Sequence, residues 1–359
     1  MTNFNLENNR IAILGASGYG GIQLVRLLKD HPHFKITYLG GERSSGKKWN
    51  ELFPFLQLDH DPIIQYPDIN LIHQKADYVF LSLPNGISSQ ITPKLLDKNI
   101  KVIDLSADYR YRNIEEWKNI YINESKLYKR NDKDLCKEAI YGIPELNLDN
   151  ISKARLVSSP GCFPTASLLG LIPFLKQGLI ESDGLIIDAK SGTSGGGRSP
   201  KENLLLAECS EAISPYGVIG HRHTSEIEQI ATEIAGHQIA IQFTPHLVPM
   251  VRGILATIYS RLRDPGLTAE DCRTLLDSFY REESFIEVLP VGVYPSTKWV
   301  RHTNKALLSV QVDKRTGRLV LMCVIDNLLK GQAGQAIQNL NIMAGLEQTN
   351  GLPLQCFYP

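Results

Sequence analysis

Arg10-Ile11-Ala12-Ile13-Leu14 is a short apolar run that passes directly into Gly15-Ala16-Ser17-Gly18-Tyr19-Gly20-Gly21. The segment that follows, Ile22-Gln23-Leu24-Val25-Arg26-Leu27-Leu28, is apolar at helical spacing. A second apolar run, Lys35-Ile36-Thr37-Tyr38-Leu39, comes where a βαβ unit needs its second strand. Strand, glycine turn and helix start together make the first unit of a dinucleotide-binding fold. Glycines let backbone approach a pyrophosphate, and the helix N-terminus supplies N–H donors. The spacing is G-x-x-G-x-x-G, which by itself also fits a turn without a ligand. Gly15, Ser17, Gly18, Tyr19 and Gly20 are the candidate cofactor residues.

A site for a free ribose 2′-hydroxyl needs a carboxylate at the end of the second strand. This chain has Gly40-Gly41-Glu42-Arg43-Ser44-Ser45-Gly46-Lys47-Lys48 there. Arg43 and Ser44 suit a 2′-phosphate and favour NADP(H), although Glu42 argues the other way. Ala76 to Leu83 and Lys101 to Ser106 read as central parallel strands, apolar on both faces. Loops at their carboxyl ends, Pro84-Asn85-Gly86 and Ser106-Ala107-Asp108-Tyr109-Arg110, are expected beside the crevice of an open α/β sheet. The polar stretch from Tyr111 to Lys137 reads as a surface excursion. Tyr141 to Leu146 reads as a compact turn.

Ser158-Ser159-Pro160-Gly161-Cys162-Phe163-Pro164-Thr165-Ala166 precedes the strongly apolar run Leu168 to Leu175, a buried helix. Pro164 suits the first helical turn, which puts Cys162 at the helix N-terminus. Unpaired N–H groups and the positive end of the helix dipole favour a thiolate there, the form that attacks carbonyl carbon. A lone cysteine beside a turn is otherwise an inert packing residue. Further on, Gly184 to Lys190 is a strand entering Ser191-Gly192-Thr193-Ser194-Gly195-Gly196-Gly197-Arg198, whose hydroxyls, glycine amides and guanidinium suit an anion. His221-Arg222-His223 precedes a helix that Thr224 or Ser225 could cap. H-x-H without further ligands reads as a general acid/base and not as a metal site, so no metal is expected.

Gln238 to Gln242 and Gly253 to Arg261 read as strands, and Ala306 to Val312 pairs with Arg318 to Val324 as a hairpin around Lys314-Arg315-Thr316-Gly317. Strands outnumber helices in this half. The fold class is therefore an α/β Rossmann-type parallel-sheet domain followed by an α+β catalytic domain with a largely antiparallel sheet. A chain of 359 residues has room for both cores. Formal net charge is zero, which speaks against a nucleic-acid partner, and no apolar run approaches the length of a membrane span. Six scattered cysteines without C-x-x-C spacing suggest reduced thiols and a cytoplasmic location.

These residues resemble the N-acetyl-γ-glutamyl-phosphate reductase family of arginine biosynthesis over nearly the whole chain. The anchors are the Gly15–Gly21 turn, Leu105 to Arg110, Tyr141 to Glu145, Ser159 to Cys162, Ser191 to Arg198, His221 to His223, Pro245 to Gly253 and Asp326 to Asn339. Ser225 departs from the pattern, which expects proline at that position. The resemblance implies a two-domain plan with domains 1–157 and 158–326, and residues 327–359 returning to the first. It implies NADPH-dependent reduction of an acyl phosphate to an aldehyde, with Cys162 as nucleophile and His221, or His223 in reserve, moving protons. It further implies Arg110, Ser191 and Arg198 as contacts to the small-molecule substrate, Asn327 as a cofactor contact, and a homo-oligomer, dimer or tetramer. The same chemistry on a carrier-bound α-aminoadipyl phosphate is the nearest alternative, and an inactive NADPH-binding regulator is one of another class.

Overall fold

In the computed structural model, which describes residues 9–356, the chain forms two compact units. The first joins Met1–Pro160 to Gln332–Leu352, and the second joins Gly161–Gly331 to Pro353–Pro359. The expected boundary at 157/158 thus moves to 160/161. The strand Leu156–Ser158 is hydrogen-bonded into the first sheet, and the new unit starts only with the helix at Cys162. The returning segment is also shorter than expected. Asn304 N–H donates to the Pro353 carbonyl (2.9 Å), which ties the chain after Leu352 to the second unit.

The first unit is a six-stranded parallel sheet. Its strands are β1 (Arg10–Leu14), β2 (Lys35–Gly40), β3 (Tyr78–Leu81), β4 (Lys101–Asp104), β5 (Ile140–Tyr141) and β6 (Leu156–Ser158), in the order β2-β1-β3-β4-β6-β5. The order reverses between β1 and β3, the point where open α/β sheets take ligands. The central strands are apolar on both faces and buried on both, as parallel strands flanked by helices must be. Helix α1 (Tyr19–Leu28) buries Ile22, Leu24, Val25, Leu27 and Leu28. Helices α2 (Ser88–Leu96) and α3 (Pro144–Lys153) follow β3 and β5.

Residues 111–137 are not a plain surface excursion. They form three short helices around a core of their own, Ala107, Tyr111, Trp117 and Tyr121. Arg130 is 4% exposed, ion-pairs with Asp132 at 2.9 Å and lies 4.6 Å over the Trp117 ring. The polar letters concealed a packed aromatic cluster in which one arginine serves as filler. Tyr141 to Leu146 likewise is a strand end followed by the first turn of α3, not a free-standing turn.

The second unit is a seven-stranded mixed sheet in the order β11-β12-β13-β10-β7-β9-β8. Its strands are β7 (Leu185–Ser191), β8 (Ser214–Pro215), β9 (Ile241–Leu247), β10 (Ile254–Arg261), β11 (Ile286–Val288), β12 (Ala306–Asp313) and β13 (Arg318–Ile325). Four of its six pairings are antiparallel. Side chains alternate buried and half-exposed along β7 and β10, so one face is core and the other is not. Helix α4 (Cys162–Lys176) packs on β10 and β13, and α5 (Arg222–Ala235) packs on α4. Helix α6 (Ala269–Phe279) packs on β11 and β12. The strand after Gln238 runs on to Leu247, through Pro245, whose carbonyl accepts from Tyr216 N–H at 3.0 Å. The closing helix does not start at Asp326. A wide π-type turn over Leu329–Ala333 comes first, and α7 (Gly334–Met343) follows in the first unit.

Candidate active site

In the first unit the glycine turn sits at the carboxyl end of β1. Gly15 has φ +77°, and a Cβ there would lie 2.1 Å from the Ser82 carbonyl oxygen at the end of β3. Gly21 has no room either, with the Gly15 oxygen 2.3 Å from where its Cβ would stand, and Gly20 would press on Ser82 Oγ at 2.7 Å. Helix α1 starts on Gly18, and no side chain caps it. Its leading N–H groups meet a bare glycine backbone, the arrangement that receives a pyrophosphate. Tyr19 opens the helix and is 39% exposed. Ser44 Oγ donates to Ser17 Oγ at 3.1 Å, so two expected cofactor residues from different loops meet. Arg43 beside them is exposed. The donor set fits a dinucleotide with an anionic ribose.

Arg110, expected as a substrate contact, also holds backbone. It is 8% exposed, its Nε donates to the Ser159 carbonyl (2.9 Å), and its Nη2 donates to the Leu105 carbonyl (3.0 Å). It braces the chain leaving β6 toward Cys162. Asp104 and Asp108 below this loop are both buried. Burial, then the charge of Asp108, pushes the Asp104 carboxyl up to about 6. Asp108 accepts from Gly86 N–H (2.7 Å) and Ser89 N–H (2.9 Å), holding the loop after β3 to the loop after β4.

In the second unit Cys162 is the first residue of α4, with Gly161 as an extended N-cap (φ −65°, ψ 156°) and no capping side chain. Cys162 is half-buried. Three groups press on this corner. Glu226 Oε1, on α5, accepts the Gly161 N–H at 2.8 Å. The His223 ring fills the space of a Gly161 side chain, with Nε2 2.5 Å from the Cβ position. Gly331, in the π-type turn, approaches so closely that a Cβ there would stand 2.8 Å from Cys162 Cβ.

His221 is the N-cap of α5, in place of Thr224 or Ser225: its Nδ1 accepts the His223 N–H at 3.1 Å. Burial, helped by the neighbouring Arg222 charge, pulls its pKa down to about 4. Its ring stands 5.0 Å from that of His223 and 5.5 Å from that of Tyr216. The Tyr216 hydroxyl is pushed up by burial and by the charge of Cys162, against the opposing charge of Arg222. Sequence reading missed Tyr216, Glu226 and Gly331. Glu226 had a signal, since it lies one turn after His223 on the same helix face. Tyr216 lies on a mostly exposed strap without periodicity.

The Ser191–Arg198 stretch is not an eight-residue cradle. Gly192, Thr193 and Ser194 give their N–H groups to the carbonyls of Gly253, Met250 and Val251. Ser191 is 3% exposed, and its hydroxyl donates to the Gly192 carbonyl. Arg198 is exposed. Asn327 is 2% exposed, accepts from Gly253 N–H at 2.8 Å and donates to Ser194 Oγ at 2.9 Å. Its amide braces this loop inside the second unit.

Comparisons with known proteins identify the family. Residues 10–154 match the family described as semialdehyde dehydrogenase, NAD binding domain, and residues 162–327 match semialdehyde dehydrogenase, dimerisation domain. The chain is 66% identical to the N-acetyl-gamma-glutamyl-phosphate reductase of Prochlorococcus marinus (strain MIT 9211), over 99% of both chains. It is 61% identical to that of Parasynechococcus marenigrum (strain WH8102), over 98% of both. Among solved structures it is similar to aspartate semialdehyde dehydrogenase II from Vibrio cholerae (17% identity, 94% of this chain and 98% of that one, TM-score 0.70). It is also similar to aspartate semialdehyde dehydrogenase with NADP from Candida albicans (18% identity, 94% and 98%, TM-score 0.67). Identity of this degree over nearly full length, with both domain matches in order, makes the chain a member of the N-acetyl-γ-glutamyl-phosphate reductase family.

Proposed function

We propose that this chain reduces N-acetyl-γ-glutamyl phosphate to N-acetylglutamate 5-semialdehyde and phosphate, with NADPH as reductant, in arginine biosynthesis. The observation that carries the reading is Cys162 at the first position of α4, its backbone held by α5. Cys162 Sγ attacks the acyl carbon, the carbon–oxygen bond to phosphate breaks, and phosphate leaves with the electron pair. Gly15, Ser17, Gly18, Tyr19, Gly20, Arg43 and Ser44 would hold NADPH, which when bound supplies a hydride. The aldehyde is released when the carbon–sulfur bond breaks and Cys162 takes back its electron pair. The N-terminal amides of α4 favour both the thiolate and the oxyanion formed at the acyl carbon.

His221 is better placed than His223 to meet an oxygen of the reacting group. It is half-exposed, whereas His223 is 6% exposed and packed against Gly161. With Nδ1 accepting a backbone N–H, the neutral ring keeps its proton on Nε2 and offers it to an oxygen. Arg198, Arg110 and Ser191 remain candidate contacts to substrate anions and Asn327 a candidate cofactor contact, although Arg110 also holds the Ser159 and Leu105 carbonyls, Ser191 the Gly192 carbonyl and Asn327 the Gly253 N–H.

The test is phosphate-dependent NADP reduction with N-acetylglutamate semialdehyde, run beside aspartate semialdehyde. We expect kcat/KM for the acetylated substrate to be higher by about 100-fold or more. Equal rates, or activity on aspartate semialdehyde alone, would refute the substrate. The relatives at 60–66% identity all carry the acetylated-substrate name, so the carrier-bound reading is not favoured.

We also propose a homodimer in the cytoplasm. The outer side chains of the second sheet form a continuous half-exposed row, with Thr257 opposite Met322 and Tyr259 opposite Val320. A second copy is the natural cover for such a face, in the region matching the family described as a dimerisation domain. Sedimentation equilibrium giving a monomer at micromolar concentration would refute it. The six cysteines form no disulfide, which suits a reducing compartment.

A further inference from the structure

Glu226 has no exposed surface. It lies on the inward face of α5 with His223, Ile227, Ile230 and Ala231. A carboxylate is an expensive way to fill such a position, since an apolar side chain of like size packs without losing hydration. Here one of its oxygens takes the Gly161 N–H at 2.8 Å. That N–H belongs to the Pro160–Gly161 peptide, immediately before Cys162. The opposite constraint on the same residue comes from the His223 ring against the Gly161 α-carbon. One helix thus fixes both the peptide plane and the α-carbon of the residue that launches α4.

We propose that Glu226 is a positioning residue for the nucleophile. By holding the Gly161 N–H it sets the direction in which Cys162 leaves the cap, and so the aim of its thiol. The inference rests on the reading of Cys162 as the nucleophile but not on the identity of the acyl substrate. A side-chain hydrogen bond to a backbone N–H is directional, which suits a part that must hold a reacting atom to a fraction of an ångström. Gln at this position retains an acceptor oxygen and the same length. Asp retains the carboxyl group but withdraws the oxygen by one methylene. Leu removes the acceptor.

The experiment uses the full chain carrying Glu226→Gln, Glu226→Asp or Glu226→Leu. Steady-state kinetics are measured together with the rate of Cys162 alkylation by iodoacetamide across pH, and each variant's folded fraction is read from its thermal melt. Glu226→Leu is expected to lower kcat by about 100-fold with KM changed no more than about threefold, the signature of a misplaced reacting group. Its alkylation rate at the high-pH plateau should change by about tenfold, and Glu226→Gln should recover kcat to within about fivefold of the parent. If Glu226→Leu fails to fold, Glu226→Asp decides: kcat about tenfold down while Glu226→Gln stays near the parent supports the proposal. Unchanged kcat and alkylation in folded Glu226→Leu, or Gln and Asp equally impaired in proportion to lost folded protein, would overturn it. If the parent turns over no semialdehyde yet its alkylation responds as described, the substrate reading fails and the positioning role stands.

Discussion

With Nδ1 engaged by the His223 amide and the pKa drawn down to about 4, His221 is a neutral hydrogen-bond donor throughout the physiological range. A neutral donor steadies negative charge on oxygen without attracting the thiolate into an unproductive ion pair. In the proposed mechanism the load of bond-making then falls on Cys162. Cys162→Ala is expected to lower kcat by about 10⁵-fold or more while NADPH affinity stays within about twofold, read by initial rates and by quenching of nucleotide fluorescence. Residual turnover within about tenfold of the parent would mean another nucleophile. At this scale the sequence was readable where chemistry demands a residue type: the cysteine at a helix start, the glycines that no side chain could replace. It was not readable where role depends on direction. Arg110 and Asn327 have the donors to bind an anion, and both also hold the chain around them, Arg110 at the Ser159 carbonyl and Asn327 at the Gly253 N–H. Nothing in the letters separates those outcomes.

Elements with a plain period announced themselves. The β12–β13 hairpin closes in register from Ala306↔Ile325 to Asp313↔Arg318, where the alternation placed it. The elements that shape the site have no period. The π-type turn at Leu329–Ala333 arises because Asp326 draws in three backbone amides beyond β13. Its Oδ1 accepts Leu328 and Leu329 N–H, and its carbonyl accepts Gly331 N–H at 3.0 Å. That widening delivers Gly331 against Cys162. Gly331→Ala is expected to cut kcat by about tenfold or more, since its methyl would stand 2.8 Å from Cys162 Cβ. The loss in stability should stay near the ~1–3 kcal/mol of ordinary overpacking, read by urea unfolding. A Gly331→Ala protein with parental kcat would show that this contact yields without moving the thiol. The cap of α5 was missed for a related reason: Thr224 and Ser225 are the usual capping types, but a histidine just before the helix reached the amide first.

For the molecule as a whole, two buried groups give stability opposite dependences on pH. Burial and the charge of Asp108 hold the folded Asp104 carboxyl above its ordinary 3.8, so just above that value the folded state holds the extra proton and stability falls as pH rises. His221 titrates near 4 when folded and 6.5 when unfolded, so the unfolded state holds the extra proton and stability rises over nearly the same window. The groups belong to different units. Asp104→Asn should therefore steepen the rise of stability from pH 4 to 6, and His221→Gln should turn it into a fall, by calorimetry at fixed ionic strength. Parallel curves for both variants would contradict the assignment. The same whole-chain view shows where this protein is not free to become more heat-resistant. Both helices that carry the proposed sites, α1 and α4, begin on a glycine without a side-chain cap. Serine or aspartate at Gly18 or Gly161 would ordinarily add a few tenths of a kcal/mol apiece. At Gly161 such a side chain collides with His223, and at Gly18 it would take the amides proposed here for the nucleotide. Lineages adapting to hot habitats, and engineers imitating them, are thus excluded from two routine substitutions and must seek stability in strand surfaces and loops that touch neither end.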